Sequence, residues 1–427
     1  MNRYKVTGGV PLHGEVTPIT NKNSILKLIP AAMLTAEPVI LHKVPKTSDV
    51  RVMLRVAKIL GAKVHYFDGG DSVKITADNV TSTSIPADIS QKARATLLFL
   101  GPLYARFGEA GIGESGGCKL GTRPIDTHFI NFEKLGAEVT YDKGGYQLKA
   151  KKNEDVFVWQ DEAGVTPTEN AIMASVIGKR HVTIYNAACE PHTQDLCNML
   201  NEMGAHIEGV GSNKLEIDGV DELHGVEYTP IVEHLDVGTY IAAAAITNGE
   251  ILIKNAIPEH MTQILTMYKR LGVEVEIRGE DIFVPRNQAL VANPDIRGNL
   301  NKIDAQPWPG LPADLLPIAV VLACHAEGSI LLHNKQYESA MGFVEELVKM
   351  KANILLADTR QAVTLGKSKL KGAHIFPPSI IQATVALFLA ALAAEGTSTI
   401  ENVEIIERRY PNITQSYRKL GAKIEVI

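Results

Sequence analysis

The chain has 427 residues, of which 45% are hydrophobic and 21% charged, and its formal net charge is −5. That length is more than one core ordinarily serves and suits two domains of about 200 residues. The composition is that of a globular protein, and the negative balance leaves no basic footprint for nucleic acid, so a bound anion must find its cations in a local cluster.

The first residues, MNRYKVTGGV, lack the apolar run of a signal peptide. They contain a strand-like segment that precedes the first helix and can pair with the end of the chain. Lys22 and Asn23 then open a helix that continues as SILKLIPAAML (24–34). A lysine in a first helical turn opposes the helix dipole, and an anion beside it would reverse that sign. Arg94 lies at the join of polar and apolar faces in SQKARATLLFL (90–100).

A Gly-rich stretch follows. GIGESG (111–116) has the form of a dinucleotide fingerprint, but Gly121 and Pro124 break the helix such a motif must open. Within it Cys118 is flanked by Lys119 and Arg123, with Asp126 and His128 just beyond. Neighbouring cations favour a thiolate, which suits nucleophilic or proton-transfer work. Cys189, Cys197 and Cys324 sit in apolar or strand-edge settings and read as core. None of the four shows metal-type spacing or a disulfide framework. In the second half, WPGLPAD (308–314) opens a helix with Asp314, and IIERRY (405–410) carries Arg408 and Arg409. The longest apolar run, Ile380 to Ala394, contains Gln382 and Thr384 and is too short to span a bilayer, so it reads as a buried helix. These features predict a cytoplasmic protein with no membrane segment, metal or cofactor, and leave its oligomeric state open.

One phrase recurs along the whole chain: ILGAKV (59–64), KLGAEV (134–139), EMGAHI (202–207), RLGVEV (270–275), MKANI (350–354) and KLGAKI (419–424). Each reads as a helix end running through a glycine into a strand, with Lys351 in the glycine's place in the fifth copy. Strands such as GKRHVTIYN (178–186) and GSILLHN (328–334) precede them. The unit is therefore helix, strand, helix, strand, repeated six times, and such units bury one another's apolar faces. Six units make two domains of three, with the break near Tyr228. In units one, two, five and six, Asn23, Arg94, Asp314 and Gln382 occupy equivalent places at the start of the first helix. Helix N-termini offer unpaired N–H groups to anions.

The motifs NKN (21–23), ARAT (93–96) with GPLYARFG (101–108), GGCKLGTRPID (116–126), VTPTENAIM (165–173), WPGLPAD (308–314), YES (337–339) and ER (407–408) resemble the enolpyruvyl transferase family over essentially the whole chain. The resemblance implies an inside-out α/β barrel of two similar domains, each of three repeated units, with helix N-termini facing an interdomain cleft. The first domain would be 21–230, with a catalytic cysteine loop at 111–124; the second would be 1–20 with 231–427. It implies transfer of enolpyruvate from phosphoenolpyruvate to the 3-hydroxyl of UDP-N-acetylglucosamine with release of phosphate, the first committed step of peptidoglycan synthesis. Lys22, Asn23, Arg123 and Arg408 would hold phosphoenolpyruvate. Asn23, Arg94, Arg123, Pro124, Ile125, Asp126, Thr127 and Asp314 would hold the nucleotide sugar. The catalytic residues would be Asp314 as general base, Cys118, on a closing loop, as proton donor and the target of fosfomycin, and Lys22.

The second domain departs from the family pattern. Gln382 and Ala340 stand where the family carries arginines, and Ile380 where it carries an aspartate. Each charge-assisted bond so lost costs roughly 1.5–3 kcal/mol. Lys335 and Arg409 are the candidates to replace the missing cations. Two alternatives follow: a divergent paralogue that binds UDP-sugar as a regulator, or a transferase for another acceptor.

Overall fold

Six residues in equivalent places take up a left-handed backbone: Gly61 (φ 109°), Gly136 (90°), Gly204 (99°), Gly272 (80°), Lys351 (70°) and Gly421 (98°). The repeated phrase is thus a helix C-terminus that reverses through positive φ before a strand begins. At Gly61, Gly136 and Gly272 a Cβ would also meet a backbone carbonyl oxygen at 2.3–2.6 Å. Lys351 is exposed and bears the strain that glycine avoids, about 1–2 kcal/mol for a residue with a side chain. Lys351→Gly should therefore stabilise the protein, by about 0.5–1 kcal/mol once glycine's greater loss of backbone entropy is subtracted. The shift of the urea midpoint measures this, and a lowered midpoint would refute it.

The computed structural model describes residues 3–113, 125–142, 144–152 and 154–427. They divide into two compact units, residues 20–113 with 125–231 and residues 3–19 with 232–427. Each unit holds three four-stranded sheets of one design. In one of them the order is Val156–Trp159, His181–Tyr185, Lys214–Asp218, His206–Glu208; the first pair is parallel and the others antiparallel. The sheet of Asn301–Ala305, Ser329–Asn334, Gln361–Leu365 and Ile354–Leu356 repeats that order. Each repeat therefore has two strands more than the helix–strand–helix–strand unit predicted from the sequence: a short leading strand and a hairpin partner for the last one. The N-terminal residues complete two sheets of the unit they belong to. Tyr4–Thr7 lies between Thr397–Ile400 and Lys423–Val426, with Tyr4 opposite Ile400 and Val426, and His13–Val16 runs parallel to Glu250–Ile253.

The first helix of each repeat lies inside and the sheets outside, for a reason visible in their composition, whereas second helices such as Ser48–Ile59 and Pro258–Lys269 bury one face only. All nine residues of Leu316–Cys324 are buried, as are Gln382 to Leu392 in the helix Ile381–Ala393. A helix with no polar face has to be wrapped on every side. The strands instead alternate: in Ser329–Asn334, Ile330, Leu332 and Asn334 are buried and the intervening residues are half-exposed. In the unit containing 232–427, helices His234–Ile246, Leu316–Cys324 and Ile381–Ala393 pack on one another. In the other, helices Lys22–Ala31 and Val165–Ser175 both pack on the 3-10 turn Arg94–Phe99. Asn23, Arg94, Asp314 and Gln382 all fall in the first turn of these inner helices or of the 3-10 turns that lead into them. Among the described residues no helix is long and apolar enough to cross a membrane. Cys189, Cys197 and Cys324 are buried, and burial pushes their thiols up to about 11, 12 and 12, so they stay protonated and unreactive.

Candidate active site

In the unit containing residues 20–231, Asn21 caps the first inner helix: its side-chain oxygen accepts from the Ser24 N–H at 3.0 Å. This fixes Lys22 at the first helical position and half-buried Asn23 next to it. Lys22 Nζ donates to Asp49 Oδ2 at 2.9 Å, and the two side chains are 8% and 13% exposed. Asp49 itself lies in the first turn of Ser48–Ile59, whose N-cap Thr47 accepts from the Val50 N–H. A negative charge that suits Lys22 at this helix start is therefore supplied by the protein itself. Asp49 gave no signal of this in the sequence, because an aspartate after a threonine cap is ordinary helix chemistry.

Arg94 begins the turn Arg94–Phe99 and is half-buried. It lies close enough to His128 for its charge to bear on that ring. His128 is fully buried on helix Asp126–Lys134, and burial first, then Arg94, push its imidazole down to about 3. Its tautomer follows from its partners. Asn170 Oδ1 accepts from the Gly101 N–H, so its Nδ2 is the donor that reaches Leu97 O and His128 Nδ1, both at 2.9 Å. His128 Nε2 then carries the proton and donates to Thr166 Oγ1 at 3.1 Å. His128 is a neutral wedge that fixes the start of its helix, not a cation for a substrate. That start presents half-buried Ile125, exposed Asp126 and buried Thr127. Cys118, Arg123 and Pro124 lie outside the described residues.

Lower in the same unit is a charged pair that the sequence did not single out. Lys27 Nζ donates to Glu169 Oε1, and Thr193 Oγ1 donates to the same oxygen at 3.0 Å. The side chains of Lys27 and Glu169 are 3% and 0% exposed. Burial pushes the lysine down and the glutamate up to about 7, and each opposes the shift of the other.

In the unit containing 232–427, Asp314 lies in the 3-10 turn Ala313–Leu315 that leads into Leu316–Cys324. Its Oδ2 accepts from Arg409 Nη1 at 2.7 Å; the Asp314 side chain is 40% exposed and that of Arg409 8%. Arg408, the last residue of the turn Val403–Arg408, is exposed. Gln382 is buried and its amide donates to the Tyr410 hydroxyl at 3.1 Å. Ile380 caps the helix Ile381–Ala393 with an extended backbone and no side-chain bond. Of the two candidate replacement cations, Lys335 pairs with Asp304 at 3.0 Å and Arg409 with Asp314. Among the described residues no group of three or more His, Cys, Asp and Glu is placed to hold a metal ion.

The family model for EPSP synthase (3-phosphoshikimate 1-carboxyvinyltransferase) matches residues 6–417. The chain belongs to this enolpyruvyl transferase family. A UDP-N-acetylglucosamine 1-carboxyvinyltransferase of Borrelia garinii is 44% identical to it over 427 residues, covering 100% of this chain and 99% of that one. Proteins of the same name from Bacteroides thetaiotaomicron and Treponema denticola are each 42% identical at 99–100% coverage. Among solved structures, the enolpyruvyl transferase NikO from Streptomyces tendae superposes with a TM-score of 0.85 at 22% identity, covering 100% of this chain and 99% of that one. EPSP synthase from Acinetobacter baumannii does so with 0.77 at 17% identity, over 100% of both chains. The fold is the inside-out α/β architecture of two domains shared by these enolpyruvyl transferases.

Proposed function

We propose that the chain transfers the enolpyruvyl group of phosphoenolpyruvate to the 3-hydroxyl of UDP-N-acetylglucosamine and releases phosphate. The supporting observation is full-length identity of 40–44% to enzymes named for that activity. Within this reading the two domains are 21–230, and 1–20 with 231–427, and the protein works in the cytoplasm.

The chemistry assigns each residue a task. Phosphoenolpyruvate is small and multiply anionic, so Lys22, Arg123 and Arg408 take its phosphate and carboxylate. Asn23 and Arg94 hold the sugar, and Arg123, Pro124, Ile125, Asp126 and Thr127 the uridine and diphosphate end. Asp314 accepts the proton of the sugar hydroxyl as its oxygen bonds to C2 of phosphoenolpyruvate. Cys118 delivers the proton that C3 gains in this addition, and the positive character that builds at C2 before the oxygen bonds is protected by the excluded-water site. The C3 proton then returns to the Cys118 sulfur, the C2–O bond breaks with its electron pair leaving on phosphate, which takes the proton held by Asp314, and the double bond is restored in the product.

Phosphate release in the presence of both substrates tests the reading. The expected result is turnover with UDP-N-acetylglucosamine and none with shikimate 3-phosphate. Folded protein that binds the nucleotide sugar yet releases no phosphate would overturn it and favour the regulatory paralogue.

A further inference from the structure

Asp314 is not a free carboxylate. One of its oxygens is engaged by a guanidinium that is itself buried, and four-tenths of the aspartate side chain still reaches solvent. The tether comes from a residue 95 positions away, in the step that also carries Arg408. Burial works against the charge of Arg409, but Asp314 first and then Glu233 outweigh it and hold the guanidinium protonated. Glu233 is fully buried at the N-cap of His234–Ile246. The other basic groups near the pair do not compete for Asp314 as cations. His234, set edge-on to Trp308 at 5.7 Å, is pushed down to about 3 by burial and then by His260 and Arg409. His260 is likewise held down, chiefly by burial. Tyr410 is buried against Gln382 and stays protonated.

We propose that Arg409 is the positioning residue for Asp314, anchoring Oδ2 so that Oδ1 is fixed as the proton acceptor. The proposal rests on the reading of Asp314 as general base. A proton taken from the sugar hydroxyl goes to Oδ1, and Arg409 keeps its own proton throughout. A buried guanidinium suits the task because its planar fork is fixed by packing, whereas an ammonium on a flexible stem gives charge without direction. Anchoring matters because a displacement of about 1 Å in a reacting group can cost on the order of a hundredfold in rate.

The test compares steady-state phosphate release by the unchanged protein, D314N, R409Q, R409K and D314N/R409Q, with melting temperatures for each. R409Q should lose roughly 10–100-fold in kcat with the KM for phosphoenolpyruvate changed by less than about twofold. R409K should lose less, roughly three- to tenfold, and the double variant should be no slower than D314N, because the two residues act as one unit. If R409Q fails to fold, R409K decides: a fall in kcat at constant KM supports the proposal and an unchanged kcat overturns it. An R409Q that folds and keeps full kcat while D314N loses its own removes the proposal and leaves Asp314 as base. A D314N with full turnover, or an unchanged protein with no turnover, removes the reading of the base and the proposal with it.

Discussion

Lys22→Ala should lower kcat/KM for phosphoenolpyruvate by about a hundred- to a thousandfold. Two effects add. The first is loss of a sheltered charge-assisted bond to an anionic substrate; truncating one side of such a pair costs about 2–5 kcal/mol. The second is specific to this structure. Lys22 faces Asp49 at 2.9 Å, and both are shielded from water. Without the ammonium, the Asp49 carboxylate stands beside an incoming phosphate and repels it. Adding D49N to the Lys22→Ala chain should therefore recover about tenfold, one charge removed from a sheltered site. Initial rates of phosphate release with phosphoenolpyruvate varied at saturating nucleotide sugar check both. The loss should fall mainly on KM for phosphoenolpyruvate. A Lys22→Ala chain within threefold of the unchanged protein would remove Lys22 from the substrate clamp, and a D49N that recovers nothing would show that the repulsion is absent.

How much of this was legible in the sequence depends on the range of the interaction. The repeat was, because a helix end at positive φ is a local event and selects glycine at five of the six places. Burial of the run from Gln382 to Leu392 was, since Gln382 and Thr384 are its only polar residues and leave it no polar face. The leading strands were not: Ser84–Ile85 and His374–Ile375 are two residues each, too short to carry a period. The partners of charged residues were not either. Asp49 pairs with Lys22 across 27 positions, Arg409 with Asp314 across 95 and Glu169 with Lys27 across 142. No local pattern records such distances. Adjacent Arg408 and Arg409 make the point in small. The sequence offered both as cations for one pocket, but one side chain is exposed and the other is turned inward onto a carboxylate.

The pair that was least legible should matter most to stability. Lys27 occupies a place in SILKLIPAAML that apolar residues surround on the same helix, and its side chain is buried with that of Glu169. Two charges withdrawn from water gain little net stability from each other, but removing one leaves the other without compensation, which costs about 3–5 kcal/mol. Lys27→Met keeps the stem of the side chain and deletes the charge, so it isolates this effect from cavity formation. Glu169 retains the Thr193 hydroxyl as a donor, one neutral bond where an ionised partner stood. The urea midpoint of Lys27→Met should fall accordingly. Adding E169Q, which deletes the stranded charge and keeps an acceptor for Thr193, should return most of the loss. If Lys27→Met costs less than 1 kcal/mol, Glu169 takes up a proton in the variant and no buried charge is left stranded. If the double variant is no better than the single, the cost lies in packing around the helix and not in the buried charge.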